Sequence, residues 1–359
     1  MAKKRVIVDC DPGHDDVVAI AMTHHFADLL AVTTAAGNVP LEMTTRNALV
    51  TLQILESAAP VHAGAAGPLS GEVRDASAIH GAGGLGGIEP PPLTRSAADG
   101  HAVDYLLRST REESGDDKPW IVAIGPLTNI ALALRLDPSF ADRIAGISIM
   151  GGGLDFGNAT ATAEFNIYAD PEAAKIVFDA PVRKILAPLD LTHQFRIDDE
   201  RLERIASVGT ETASFIAQLL GRYIDSYERE WGFRAGALHD PCALLAITHP
   251  ELFDVEPLHV DIELTGTLTR GMTVADRRLA GSSPNNCEVL TKIDAPGAFD
   301  ALLEACAAHS TVLVTPLPFT GKDKARTTRV HLARSWPPRD DQASRRRRAS
   351  FRPSGPPGR

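Results

Sequence analysis

"VIVDCDPGHDD", residues 6–16, sets four aspartates (Asp9, Asp11, Asp15 and Asp16) within eight residues, directly after an apolar run. The run is continuous rather than alternating, which reads as a strand buried on both faces. Carboxylates crowded at the end of a buried strand repel one another unless a cation neutralises them or they share a proton. The stretch therefore raises two questions at once, about the sheet that the strand joins and about what the charge is for.

Further apolar runs at residues 30–35, 120–124, 147–150 and 184–187 also read as buried strands. Amphipathic stretches at 46–56, 100–111 and 171–178 lie between them. Strand and helix in alternation predict an α/β fold: a single domain with a mainly parallel, Rossmann-like central sheet flanked by helices. Ligands of such sheets sit beyond the carboxyl ends of the strands. Polar and glycine-rich residues gather at those ends here: the aspartates, Gly37-Asn38, "GPLTN" at 125–129 and "GGG" at 151–153. Residues 196–235 read as helical, and 238–247 start a helix with Asp240 near its N-terminus. A strand-rich region at 260–274 precedes a last helix at 296–308, and no internal repeat or linker interrupts the chain before about residue 310.

The net charge of -10 is unevenly placed: residues 321–359 hold 12 Lys or Arg against 3 Asp, while the rest holds 24 basic against 43 acidic residues. The body, residues 1–310, is too acidic for a nucleic-acid binder, since phosphate contacts need positive charge. The extension, residues 311–359, is basic and reads as disordered from about 321, being Pro-, Arg- and Ser-rich with few core-forming residues. No apolar stretch reaches the roughly 20 residues that span a bilayer, and the N-terminus lacks the apolar segment of a signal peptide. The four cysteines are scattered without metal-ligand spacing, which fits a reducing cytoplasm.

Hard oxygen donors suit Mg²⁺ or Ca²⁺ rather than zinc. An EF-hand loop starting at Asp9 would need a bidentate Glu where the chain has Ile20. A haloacid dehalogenase-like phosphohydrolase also begins with Asp-x-Asp after a strand, with Asp9 as nucleophile and Asp11 as acid. That family carries Thr or Val where this chain has Gly13, and it has no use for Asp15 and Asp16.

"DCDPGHDD" resembles the opening motif of the inosine-uridine-preferring nucleoside hydrolases, a family of Ca²⁺-dependent N-ribohydrolases. The resemblance continues through "GN" at 37–38, "HGAGGLGG" at 80–87, "GPLTNIALAL" at 125–134, "MGGG" at 150–153, "GNATATAEFNIYADPEAA" at 157–174 and "HDPCAL" at 239–244. It implies hydrolysis of the N-glycosidic bond of ribonucleosides to base and ribose. It implies that Asp11, Asp16 and Asp240 ligate Ca²⁺ by carboxylates and Thr128 by its backbone carbonyl. Asp11 is then the general base toward a calcium-held water, with Asp9 supporting the cluster from behind.

The same resemblance assigns Asp15, Asn38, Asn158, Glu164 and Asn166 to the ribose, Met150 to the pocket wall, and His80, Tyr223 and Tyr227 to the base. His239 becomes the group that assists the leaving base, in the branch that accepts inosine, uridine or pyrimidine nucleosides. A homo-oligomer, dimer or tetramer, is implied by analogy alone. A non-catalytic nucleoside-binding protein would have lost a ligand or the base, and here the inferred set is intact. Gly81, Gly83 and Gly86 spell G-x-G-x-x-G, but no strand precedes them and no helix follows, so a dinucleotide site is not expected. His14, His24 and His25 read as ordinary surface or structural residues.

Overall fold

The apolar run at residues 6–8 lies in strand β1 (Arg5–Cys10), five of whose six residues, Asp9 among them, are buried. The computed structural model describes residues 3–111, 117–278 and 283–308. On one side of β1 lie β2 (Asp28–Thr34) and, beyond it, β3 (Val61–Ala63). On the other side follow β4 (Trp120–Ala123), β5 (Gly146–Met150) and β6 (Lys184–Ala187), all parallel. Short strands β7 (Arg196–Ile197) and β8 (Gly236–Ala237) pair outside this sheet. The far edge is β9 (Phe253–Leu258), antiparallel to its neighbour, and β10 (Val260–Ile262) and β11 (Thr273–Ala275) form a separate pair. β12 (Cys287–Ile293) inserts between β6 and β9, giving the order β3-β2-β1-β4-β5-β6-β12-β9.

The chain winds outward from β1 through β2 and β3, then returns to β1's other side as β4. The crevice at this reversal is where ligands of open α/β sheets bind, and the aspartates of residues 9–16 follow directly from β1. Alternate residues of β1 enter two cores, Val6, Val8 and Cys10 on one face and Ile7 on the other. Burying each such aliphatic side chain contributes about 1.5–3 kcal/mol, so β1 is anchored from both faces and holds its carboxyl end in place.

The parallel α/β architecture agrees with the sequence, and the five expected strands are present. Three sheet strands escaped it. β3 is only three residues long; β9 is an edge strand with its middle four residues exposed; β12 is buried at Cys287, Val289 and Leu290 but half-buried or exposed at its other four positions. None of these makes a continuous apolar run. Residues 196–235 are not one helix: β7 opens the region, and two helices follow, Asp199–Ala206 and Glu211–Trp231. The basic extension lies outside the described residues. Among the described residues no helix is long and apolar enough to cross a membrane, and the four cysteines are buried and unbonded to each other.

Candidate active site

Two helix N-termini converge beyond β1. The helix His14–Phe26 carries Asp15 and Asp16 in its first turn, and the helix Asp240–Thr248 begins with Asp240. Both helix dipoles favour negative charge there. One oxygen each from Asp15, Asp16 and Asp240 lies within 4.8 Å of the others. The backbone N–H groups of Gly13 and Asp11 donate to the two Asp16 oxygens at 2.9 and 3.2 Å. His239 N–H donates to Asp15 Oδ2 at 3.3 Å. Asn38 binds the loop together: its backbone N–H reaches Asp11 Oδ2 at 2.6 Å, and its Nδ2 reaches Asp16 Oδ2 at 3.2 Å.

Asp11 Oδ1 is buried with no hydrogen-bond partner. The strand-end glycines press on this carboxylate, since a Cβ at Gly37 would lie 2.0 Å from Oδ2 and one at Gly125 2.5 Å from Oδ1. Burial, helped by the Asp16 charge, pushes Asp15 up to about 7. Burial also lifts Asp16 to about 6, and it drives Asp11 and Asp240 well above the usual carboxylate range. A set of buried, mutually repelling oxygen donors with one oxygen unpartnered fits a hard divalent cation.

Asp9 stands behind this group. Its Oδ1 accepts from Thr33 Oγ1 at 2.6 Å and from Asn129 Nδ2 at 2.9 Å, while Oδ2 is buried without a partner. Asn129 also donates to the Thr34 carbonyl and accepts from Ala65 N–H at 2.9 Å, so it ties β1, β2 and the loop after β3 together. Thr128 opens the helix Thr128–Leu136, and its hydroxyl donates to Asp170 Oδ2 at 2.7 Å. Asp170 also accepts from Leu69 N–H and caps the helix Pro171–Asp179.

Glu164 caps the helix Phe165–Ala169 and accepts from Gly152, Asn166 and Ile167 N–H groups. Asn166 Nδ2 bridges the carbonyls at the ends of β4 and β5, Ile124 at 3.1 Å and Met150 at 3.2 Å. Met150 is buried beside it, with Sδ 3.5 Å from Nδ2. Asn158 is exposed, and its Oδ1 accepts from Phe165 N–H at 2.8 Å.

A row of aromatic side chains flanks the aspartates. His239 Nδ1 lies 2.7 Å from Thr192 Oγ1 and Nε2 3.0 Å from the Tyr227 hydroxyl. The Tyr223 hydroxyl is 3.3 Å from that of Tyr227 and donates to the Ala237 carbonyl at 2.9 Å. Tyr223 and Tyr227 stand four residues apart on one face of the helix Glu211–Trp231, as the helical period requires. His80 is buried at the end of the helix Ser77–His80. Burial pushes its imidazole down to about 4 and that of His239 well below the ordinary range.

Of the surface and structural readings open for His14, the structure bears out the structural one. The residue is fully buried and packed against both His80 (ring centroids 4.9 Å) and Tyr223 (5.1 Å), which are themselves 6.2 Å apart, because the first helical position after the Asp loop faces inward at the rim. Of its neighbours in that reading, His24 and His25 are only half-buried, and His25 lies against Glu304. Thr192, Asn129 and Asp170 were also not singled out. Thr192 follows the end of β6, where the rim rule would have placed it. Asn129 and Asp170 act through partners distant in sequence. A surface cavity of about 610 Å³, lined by Lys184, His259, Asn286 and Cys287 among others, lies at the opposite end of β6 and β12 and holds none of these residues.

The sequence profile of the family described as inosine-uridine preferring nucleoside hydrolase matches residues 6–300. The chain is 42% identical to the inosine-uridine preferring nucleoside hydrolase of Leishmania major over 297 residues, 81% of this chain and 93% of that one. It is also 42% identical to the pyrimidine-specific ribonucleoside hydrolase RihA of Shewanella sp. (strain MR-7), covering 85% of this chain and 96% of the relative. A solved plant nucleoside hydrolase, PpNRh1, superposes with a TM-score of 0.80 at 32% identity, covering 86% of this chain and 100% of that one. The purine-preferring ribonucleoside hydrolase from Gardnerella vaginalis gives 0.79 at 30% identity, over 85% and 98% of the two chains. A phosphohydrolase built on Asp9 and a binding-only protein are both set aside by these likenesses. On this family match and these identities, the chain belongs to the inosine-uridine preferring nucleoside hydrolase family and is a ribonucleoside hydrolase.

Proposed function

We propose that the protein cleaves the N-glycosidic bond of ribonucleosides to free base and ribose around a calcium ion, with Asp11 as general base and His239 assisting the base's departure. The observation that carries this reading is the Asp11 carboxylate: Oδ1 is buried and unpartnered, and the charges of Asp16 and Asp15, which cluster with Asp240, bear on it. Asp11, Asp16 and Asp240, with the Thr128 carbonyl, would hold the ion. When bound, calcium supplies positive charge that gathers ribose hydroxyls and a water and acidifies that water.

The remaining steps belong to the chain's own residues. Asp11 accepts the proton of the attacking water at Oδ1, an atom otherwise without a partner. Asp15 receives ribose hydroxyls beside the ion, its Oδ2 steadied by His239 N–H. Asn38, Asn158, Glu164 and Asn166 present fixed donors and acceptors to the sugar, and Met150 walls the pocket. As the bond breaks, negative charge develops on the base. Burial disfavours a resident imidazolium on His239, so the proton that neutralises the base enters from solvent and passes through the His239–Tyr227 contact, with Tyr223 beside it, while the proton taken up by Asp11 returns to solvent. Thr192 on Nδ1 lets the ring exchange tautomers without moving, because a hydroxyl both donates and accepts. His80 approaches the base from the other side of the tyrosines.

The names of its relatives support a range that includes uridine and inosine. The test is ribose release from uridine, cytidine, inosine and adenosine, before and after calcium is stripped with a chelator. Release that is lost with the chelator and restored by calcium, and lost in Asp11→Asn, supports the reading. No release from any of the four with calcium present overturns it.

A further inference from the structure

We propose that His14 is a positioning residue that fixes His80 with its ring proton on Nε2, so that His80 meets the leaving base as a hydrogen-bond donor. This rests on the reading that His80 approaches the base. Two groups of one residue converge on a single atom: His14 backbone N lies 3.3 Å from His80 Nδ1, and His14 Nδ1 lies 3.0 Å from it. A backbone N–H can only donate, so His80 Nδ1 carries its lone pair. The facing Nδ1 of His14 then carries a hydrogen. A neutral imidazole has one ring proton, so His80 holds its own on Nε2 and His14 Nε2 is left as a bare acceptor. That last atom is found buried and without a partner.

The surroundings enforce this arrangement. A Cβ at Gly13 would lie 2.3 Å from His80 Nδ1, so only glycine lets the His14 backbone come this close. Gly86, at φ +61°, covers the other side, where a Cβ would lie 2.8 Å from His14 Nε2. Tyr223 stacks on His14 with an interplanar angle of 30° and holds the ring plane. The orphaned Nε2 is a standing cost of the arrangement, accepted where His14 Nδ1–H is used to direct a neighbour. A donor at His80 Nε2 complements a carbonyl oxygen or ring-nitrogen lone pair, the atoms on which a departing nucleobase gathers charge.

The test reads the tautomer directly, by two-bond ¹H–¹⁵N correlation on histidine-labelled full-length protein at neutral pH with calcium present. The expected spectrum has His80 protonated at Nε2 and His14 at Nδ1; a His80 proton on Nδ1 overturns the proposal. His14→Phe keeps the stack on Tyr223 and removes the ring donor, and it is expected to lower kcat about tenfold with KM nearly unchanged. His14→Asn, whose amide N–H falls near the position of Nδ1, is expected to restore most of that loss. An unchanged kcat in folded His14→Phe, or an equal loss in the Asn variant, overturns the positioning role. If His14→Phe does not fold, the wild-type spectrum and the Asn variant decide. Failure of the wild type to release ribose would instead overturn the hydrolase mechanism, and the tautomer measurement would still judge the His14–His80 assignment.

Discussion

The Tyr227 hydroxyl and His239 Nε2 meet at 3.0 Å, although Tyr227 lies near the C-terminal end of a long helix and His239 immediately precedes another. Tyr227→Phe keeps the ring and removes the proton path. Its kcat on unactivated nucleosides should fall by about 10²-fold, the lower range for a lost general acid. A riboside with a nitrophenolate leaving group needs no proton and should be spared. Equal losses on both substrates would show that Tyr227 acts only by packing.

Asp240 closes the carboxylate cluster with Asp15 and Asp16. Asp240→Ala should abolish calcium binding by titration calorimetry and remove calcium's effect on the melting temperature. In the wild type, calcium at 100 times its dissociation constant should stabilise the fold by about 2.7 kcal/mol. A wild type whose melting is indifferent to calcium would count against Asp11, Asp16 and Asp240 as the ion's ligands.

Calcium affinity should depend on pH, with a sign set by the raised carboxylates. Without metal, burial lifts the proposed ligand Asp16 to about 6 and drives Asp11 and Asp240 well above the usual carboxylate range. Ligating carboxylates must be ionised, so below these values calcium has to displace protons. Affinity should weaken as pH falls from 8 to 6, with proton release measured by calorimetry in buffers of different ionisation enthalpy. No proton release at pH 6 would contradict the assignment.

Gly125 touches the Asp11 carboxylate so closely that a methyl group there has no room, its Cβ falling 2.5 Å from Asp11 Oδ1. Gly125→Ala should therefore displace Asp11 and reduce kcat at least tenfold while the protein still folds. Retention of full activity would show that Asp11 Oδ1 is not held where the mechanism needs it.

Asn129 is buried, and it donates to Asp9 Oδ1 and the Thr34 carbonyl. Asn129→Ala leaves both acceptors short of a donor inside the core, a loss of about 1–3 kcal/mol for each buried group left unsatisfied. Denaturant unfolding of the metal-free protein would measure it. A change under 0.5 kcal/mol would mean that water or a shifted neighbour replaces the amide.

The acidic motif was legible because its cost is local. Four aspartates after a buried apolar run repel whatever surrounds them, and "GPLTN" marks a turn that a parallel sheet places on the same rim, while "HDPCAL" joined them through the family resemblance. β1, β2, β4, β5 and β6 were legible for a similar reason, since strands buried on both faces leave continuous apolar runs. β12 was hidden because it is half-buried or exposed at four positions, and β9 because an edge strand has little to bury.

Sequence alone determined the fold class and the four aspartates after β1, since hydrophobic periodicity and local charge density are properties of neighbours along the chain, and its motifs carried the resemblance that implied the family and the role of Asp240. Only the tertiary structure decided which partners those residues meet. Asn129 finds Asp9 across 120 positions, and Thr192 finds His239 across 47. His14 becomes the partner of His80 rather than a surface residue. Hydrogen-bond direction, the absence of a partner and the closeness of a glycine backbone depend on where distant segments pack, and no local pattern encodes them.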